Sequence, residues 1–171
     1  LKGSYGMNGK FFGENESGGM EPTTRVLKTK VDNKSSKQYF IDFSPGPSVD
    51  PHFIIHRTVG DSTVFLGKTA NCLHLFIPGD GFLYTAGHVN SMFDKRRKYT
   101  VAGDSLAEVP QPYYHVGLET VTTGPLSLSP DTDMARESAV LPAGTPITVL
   151  LNRDDLYLVA DPFGLIGWTR I

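Results

Sequence analysis

Val140-Leu141-Pro142-Ala143-Gly144-Thr145-Pro146-Ile147-Thr148-Val149-Leu150 decides how this chain is read. A Pro-Ala-Gly-Thr turn separates a short apolar segment from an alternating one, which is rich in β-branched residues. Ile147, Val149 and Leu151 are expected on one face of a strand, with Thr148 and Leu150 on the other. Leu156-Tyr157-Leu158-Val159-Ala160-Asp161 and Gly164-Leu165-Ile166-Gly167-Trp168-Thr169 continue the pattern across a Pro162-Phe163-Gly164 turn. Asn152-Arg153-Asp154-Asp155 is polar enough for an exposed loop, and Trp168 reads as a packing residue at one end of the sheet.

Upstream the same punctuation recurs. Tyr39-Phe40-Ile41-Asp42-Phe43 stops at Ser44-Pro45-Gly46-Pro47, where prolines cannot donate to a ladder. His52 to Arg57, Thr63 to Gly67, Cys72 to Ile77 and Lys98 to Val101 read as further strands. Pro78-Gly79-Asp80-Gly81 is a hairpin signal, with Phe82-Leu83-Tyr84-Thr85 leaving it. Turns every eight to twelve residues, with 18 Gly and 12 Pro in 171 residues, predict antiparallel sheet. Helix is expected only as a turn or two at 91–98 and 131–138. Val109-Pro110-Gln111-Pro112 is the predicted boundary. It separates an antiparallel β domain (37–112), itself preceded by a Gly-rich polar arm (1–36), from a small β domain (113–171).

Charge changes sign across that boundary. Residues 1–112 hold 13 Lys or Arg against 11 Asp or Glu, whereas 113–171 hold 3 Arg against 7 acids. Neither part is basic enough for a nucleic-acid surface. No apolar run approaches the roughly 18 residues of a membrane span, so the chain reads as soluble. Cys72 is the sole cysteine, which leaves no intramolecular disulfide. A first residue of Leu is read as a removed signal segment or a trimmed chain, pointing to a secreted or periplasmic location.

Residues 119–171 resemble a bacterial Src-homology-3-like (SH3-like) domain. The resemblance rests on Thr122-Thr123-Gly124-Pro125-Leu126-Ser127-Leu128 as opening strand and distorted turn, on Val140 to Leu150, and on the closing hairpin with Gly167-Trp168. It implies a small closed β-barrel of a type often appended to secreted and cell-envelope proteins. Family members usually carry Asn-Val-Arg where this chain has Leu126-Ser127-Leu128, so a binding role tied to that arginine does not transfer. Residues 1–112 resemble no family.

Catalytic constellations are weighed and set aside. Thr85-Ala86-Gly87-His88 with Gly103-Asp104-Ser105 is similar to the histidine and nucleophile segments of chymotrypsin-like peptidases. The 17-residue separation of His88 and Ser105 is far too short for that fold. Cys72 with His115, the latter in a segment resembling the histidine strand of papain-like cell-wall amidopeptidases, is the alternative enzyme reading. A thiolate needs a base within reach and gains from a helix N-terminus, yet Cys72 enters a strand pattern. His52, His56, Cys72, His74 and His88 offer imidazole and thiolate ligands but no recognised zinc spacing, so no metal or cofactor is assigned.

Lys95-Arg96-Arg97-Lys98, between Phe93 and Tyr99, is the only basic run, read either as a charged sheet edge or as a grip on an acidic partner. Tyr113 and Tyr114 follow the boundary, where ligand clefts are common. The chain is therefore expected to be mainly β and non-catalytic, an envelope module recognising a peptide, glycan or protein through His88, Arg96, Arg97, Tyr99, Tyr113 and Tyr114. A structural role within an envelope assembly is the third expectation.

Overall fold

Alternation of apolar and polar residues is realised as antiparallel strands, and the described residues contain no helix. A computed structural model describes residues 10–14, 20–47, 50–88 and 92–171. The chain divides into two compact units, residues 1–110 and 111–171.

The first unit contains two sheets. One is a five-stranded meander of β1 (Lys10–Glu14), β2 (Met20–Thr29), β3 (Tyr39–Ser44), β4 (His52–Val59) and β5 (Ser62–Lys68). The other is a four-stranded meander of β6 (His74–Phe76), β7 (Phe82–His88), β8 (Asp94–Ala102) and β9 (Ser105–Glu108). Both contribute to one core of Val31, Tyr39, Ile41, Phe53, Ile55, Leu66, Cys72, Leu83 and Tyr99. Thr24 to Thr29 pair along β3 and Val31 is buried, so this part of the Gly-rich N-terminal segment belongs to the body of the unit. An Asp32–Asp80 bridge, with Asn33 N–H donating to the Gly79 carbonyl at 2.9 Å, ties the segment after β2 to the β6–β7 turn.

Two local expectations are corrected. The helical turn at 91–98 is strand from Asp94 onward, because Tyr99 and Val101 alternate with hydrophilic partners and pack against the core. Strand β6 begins only at His74, so Cys72 sits in the loop before it. That loop lies against β7 at Gly87. A Cβ on Gly87 would stand 2.2 Å from the Cys72 Cα and 2.7 Å from the Asn71 carbonyl oxygen.

The second unit is built from β10 (Tyr114–Val121), a hairpin of β11 (Leu126–Leu128) and β12 (Ala139–Leu141), and then β13 (Pro146–Arg153), β14 (Leu156–Ala160) and β15 (Ile166–Arg170). Pairing runs β10-β13-β14-β15 in one sheet and β11-β12 in another. Leu128, Leu141, Ile147, Val149 and Val159 form the core between them. A Ser129–Trp168 bridge joins the two sheets, but the pairing does not run on into the closed barrel that the resemblance implies. The face of Leu151 is also corrected. A bulge between Val149 and Leu151 turns Leu151 away from Ile147 and Val149, and the polar Asn152 becomes the buried position. The Asn152 amide donates to the carbonyls of Asp154, at 2.9 Å, and Leu156, at 3.3 Å, which holds the β13–β14 turn.

Gly87→Ala forces a methyl into backbone and is expected to cost about 1–3 kcal/mol or more. Gly124→Ala, where an added methyl meets nothing within 4 Å, should stay within about 0.5 kcal/mol of the parent. Urea titration of both variants reads the difference, and equal midpoints would contradict the Gly87–Cys72 packing.

Candidate functional site

Strand alternation sorts the most aromatic part of the chain onto two faces. Leu83 and Tyr99, which are direct partners, point into the core, and Thr85 is buried opposite Arg97. The intervening residues share the opposite face: Phe82 with Thr100, Tyr84 with Lys98, and Ala86 with Arg96. Strand β6 extends both latter rows, His74 lying opposite Ala86 and Phe76 opposite Tyr84. The outer face thus carries the rows His74–Ala86–Arg96 and Phe76–Tyr84–Lys98, with Phe82 beside them.

Electrostatics fix these side chains in place. The Lys98 Nζ sits 3.6 Å from the centroid of Phe82 and 5.8 Å from that of Tyr84, so the cation faces the negative side of a ring. The Phe82 and Tyr84 rings meet edge to face at 6.5 Å. The Tyr84 hydroxyl donates to Asp80 Oδ2 at 2.8 Å, and Asp80 Oδ1 accepts from the Phe82 N–H at 3.1 Å. Desolvation works to raise the Asp80 pKa, but these hydrogen bonds and the Lys98 charge prevail and hold it below the ordinary carboxylate value. The same hydrogen bond to Asp80 pushes the Tyr84 phenol upward, so it stays protonated at neutral pH. His74 and Phe76 present near-parallel rings, 6.4 Å apart and inclined by 25°. Phe76 is 57% exposed, so most of its ring faces solvent.

The six residues expected to bind are divided by this geometry. Arg96 is exposed on the aromatic face. Arg97 turns the other way, its Nε 3.6 Å from Glu108 Oε1. Tyr99 is a core residue whose hydroxyl accepts the Ala70 N–H at 2.9 Å. His88 ends β7 opposite Asp94, and its side chain lies outside the described part of the structure. Tyr113 and Tyr114 belong to the second unit. Tyr113 is exposed with its ring 6.0 Å from that of Trp168, and Tyr114 is half-buried opposite Asn152. Phe76, Phe82 and Tyr84 carry no functional expectation from the sequence, whereas His74 is considered there only as a metal ligand and Lys98 only within the basic run 95–98. Their signal was the two-residue spacing within 74–76, 82–86 and 96–98, once those segments are paired.

The second unit exposes its own apolar point. Phe163 is 94% exposed at the β14–β15 turn, where Asp161 Oδ1 accepts the N–H groups of Phe163 and Leu165 at 2.9 and 2.8 Å.

The histidines occupy separate environments. His52 Nδ1 lies 3.1 Å from the Asp50 carbonyl oxygen. His56 Nε2 lies 3.3 Å from Asp42 Oδ2, a carboxylate that also binds Arg25 Nε at 2.9 Å. Burial works to raise the Asp42 pKa, but hydrogen bonds from His56 and Arg25 outweigh it and the net shift is downward. Among the described residues no group of three His, Cys, Asp or Glu stands where it could hold a metal ion. Ser105 spends its hydroxyl on the Ala102 carbonyl within the β8–β9 turn.

Cys72 is 1% exposed, with its Sγ 3.3 Å from Thr69 Oγ1. Desolvation raises its pKa above the ordinary thiol value, against the opposing hydrogen bond of Thr69 and the charge of Arg97. The thiol is therefore protonated at neutral pH, and His115 belongs to the other unit. Iodoacetamide should modify native Cys72 on the order of a hundredfold more slowly than the urea-unfolded chain. Alkylation at the unfolded rate would mean an accessible, reactive thiol. Comparisons of the chain with protein-family models, curated proteins and solved structures gave no match.

Proposed function

We propose that this protein is a non-catalytic binding module and that the outer face of β6–β8 is its binding surface. The observation that carries this reading is the exposure of Phe76 beside Tyr84 and Phe82 on a sheet whose other face supplies the core. Covering an exposed Phe is worth about 1.5–3 kcal/mol, so the face has affinity in reserve for a partner that covers it. The pinned Tyr84 and the ring-bound Lys98 reduce the ordering cost of binding.

The second unit is proposed to be an SH3-like domain in a secreted or periplasmic, envelope-associated protein. Support comes from the order of its strands, and from the Ser129–Trp168 bridge and the close approach of Gly167 to Leu128, both within the resembling residues. A peptide, glycan or protein of the envelope is the corresponding partner class. No helix among the described residues is long and apolar enough to cross a membrane. Burial and the raised pKa of Cys72 count against the cysteine hydrolase.

Co-sedimentation with washed bacterial cell-envelope material tests this reading. The parent chain is expected in the pellet, and the Phe76→Ala/Tyr84→Ala double variant about tenfold more in the supernatant at an unchanged Tm. Equal pelleting of the two would remove the β6–β8 face from the function, and no pelleting of either would remove envelope binding.

A further inference from the structure

We infer that the five-stranded sheet docks on an anionic phospholipid surface, with Lys28, Lys30 and Lys68 at the headgroups and Phe65 at the acyl boundary. This surface lies on a different sheet from the β6–β8 face and goes beyond the binding reading above.

Register builds the face. Ile41, Phe43, Phe53 and Ile55 turn into the core, so the residues between them point the other way. Phe40 lies between Lys28 and His56, and His56 lies opposite Phe65. In the next row Asp42 lies between Arg25 and Ile54, and Ile54 is opposite Lys68. Ring contacts fix the sides: the Lys28 Nζ is 5.2 Å from the Phe40 centroid, and the His56 and Phe65 rings meet edge to face at 5.7 Å. Lys30 follows Lys28 by alternation, just before the buried Val31. Burial falls away along the strands. Ser44, His52, Asp42 and Ile54 are buried, Phe40 and His56 are half-buried, and Phe65 is 53% exposed. The three lysines are exposed as well, Lys68 on the edge strand.

Charge selects the partner. Arg25 is engaged by Asp42, which also meets His56, so that cluster adds no surplus. Lys28, Lys30 and Lys68 pair with no carboxylate among the described residues. Lys34 and Lys37, exposed in the β2–β3 connection, extend the charge. The acids at the margin are Asp61 in the β4–β5 turn and Asp32, whose Oδ1 accepts the Lys34 N–H at 2.8 Å. Five lysines against these two acids leave the face positive on a chain whose net charge is −2.

The kind of cation narrows the class. Lysine ammoniums are compact, hydrated point charges on flexible stems, whereas arginine forks suit ligands of fixed geometry. The arginine of this face is spent on Asp42. Mobile cations around one exposed apolar ring match the headgroups and acyl boundary of a fluid anionic bilayer. A single-stranded nucleic acid would need successive rings to stack on. Phe40 is already covered by the Arg25 guanidinium at 4.1 Å, which leaves Phe65 alone.

Flotation of the full chain with vesicles of phosphatidylcholine and phosphatidylglycerol in equal parts, against phosphatidylcholine alone, provides the test. The parent is expected to float with the anionic vesicles only, and added salt should release it. A lysine near an anionic surface strengthens binding about fivefold, so Lys28→Gln/Lys30→Gln/Lys68→Gln should lose on the order of a hundredfold. Lys28→Arg/Lys30→Arg/Lys68→Arg keeps the charge and should float as the parent does. Arg136→Gln/Arg153→Gln/Arg170→Gln makes the same change in net charge within the second unit and should also float. Phe65→Ser should weaken flotation several-fold at an unchanged Tm. The Phe76→Ala/Tyr84→Ala variant should float as the parent does, which separates this surface from the β6–β8 face. Failure of the parent to float, equal flotation with neutral vesicles, or equal loss in the two glutamine triples would each overturn the assignment. So would release of the parent by oligothymidylate or poly-L-glutamate at an anion concentration no higher than that of the vesicles.

Discussion

The register of β7 against β8 governs everything else in the first unit. Leu83 opposite Tyr99 places two fully packed side chains in the core, and the same pairing sends Phe82, Tyr84, Arg96 and Lys98 outward. A slip of one residue would exchange the two sets, driving a lysine and an arginine into the interior. Gly87 adds a steric constraint, since only a residue without a side chain lets the Asn71–Cys72 backbone lie against β7. The core and the candidate binding face are therefore two consequences of one pairing.

That coupling explains why the exposed aromatics persist. Phe76 and Tyr84 lie opposite each other on a face whose geometry is imposed from the other side of the sheet. Their exposure is tolerated because Leu83, Tyr99 and Cys72 hold the strands. The polar contacts of the face serve orientation more than stability: Tyr84 and Asp80 are solvent-accessible, where a hydrogen bond contributes little net free energy. The Arg25–Asp42–His56 cluster on the five-stranded sheet differs, because Asp42 is buried and its charge depends on both partners.

Much of the architecture was legible in the sequence. The alternation in Tyr39–Phe43, Phe82–Thr85 and Ile147–Val149, with the Gly and Pro turns between, specified antiparallel sheet, and the structure is all-β. Two things were not legible, for different reasons. The bulge at Leu150 carries no signal of its own, since an extra residue in a strand leaves the apolar pattern readable in either phase until the partner strand is known. The aromatic face was hidden because its members come from three segments, each contributing two or three side chains. Reading the basic run Lys95–Lys98 as a block placed Arg97 and Tyr99 with Arg96, although adjacent residues of a strand face opposite ways. Periodicity was visible; pairing was not, and the candidate face is assembled only through pairing.

The division between a face that holds the fold and a face that is spare for binding is measured most directly by comparing Leu83→Ala with Phe76→Ser in urea denaturation. Leu83 is fully buried, and its truncation should cost about 2–5 kcal/mol. Phe76→Ser should leave stability within about 0.5 kcal/mol of the parent or raise it. A loss for Phe76→Ser as large as that for Leu83→Ala would mean that the outer aromatics are structural, and the division would be contradicted.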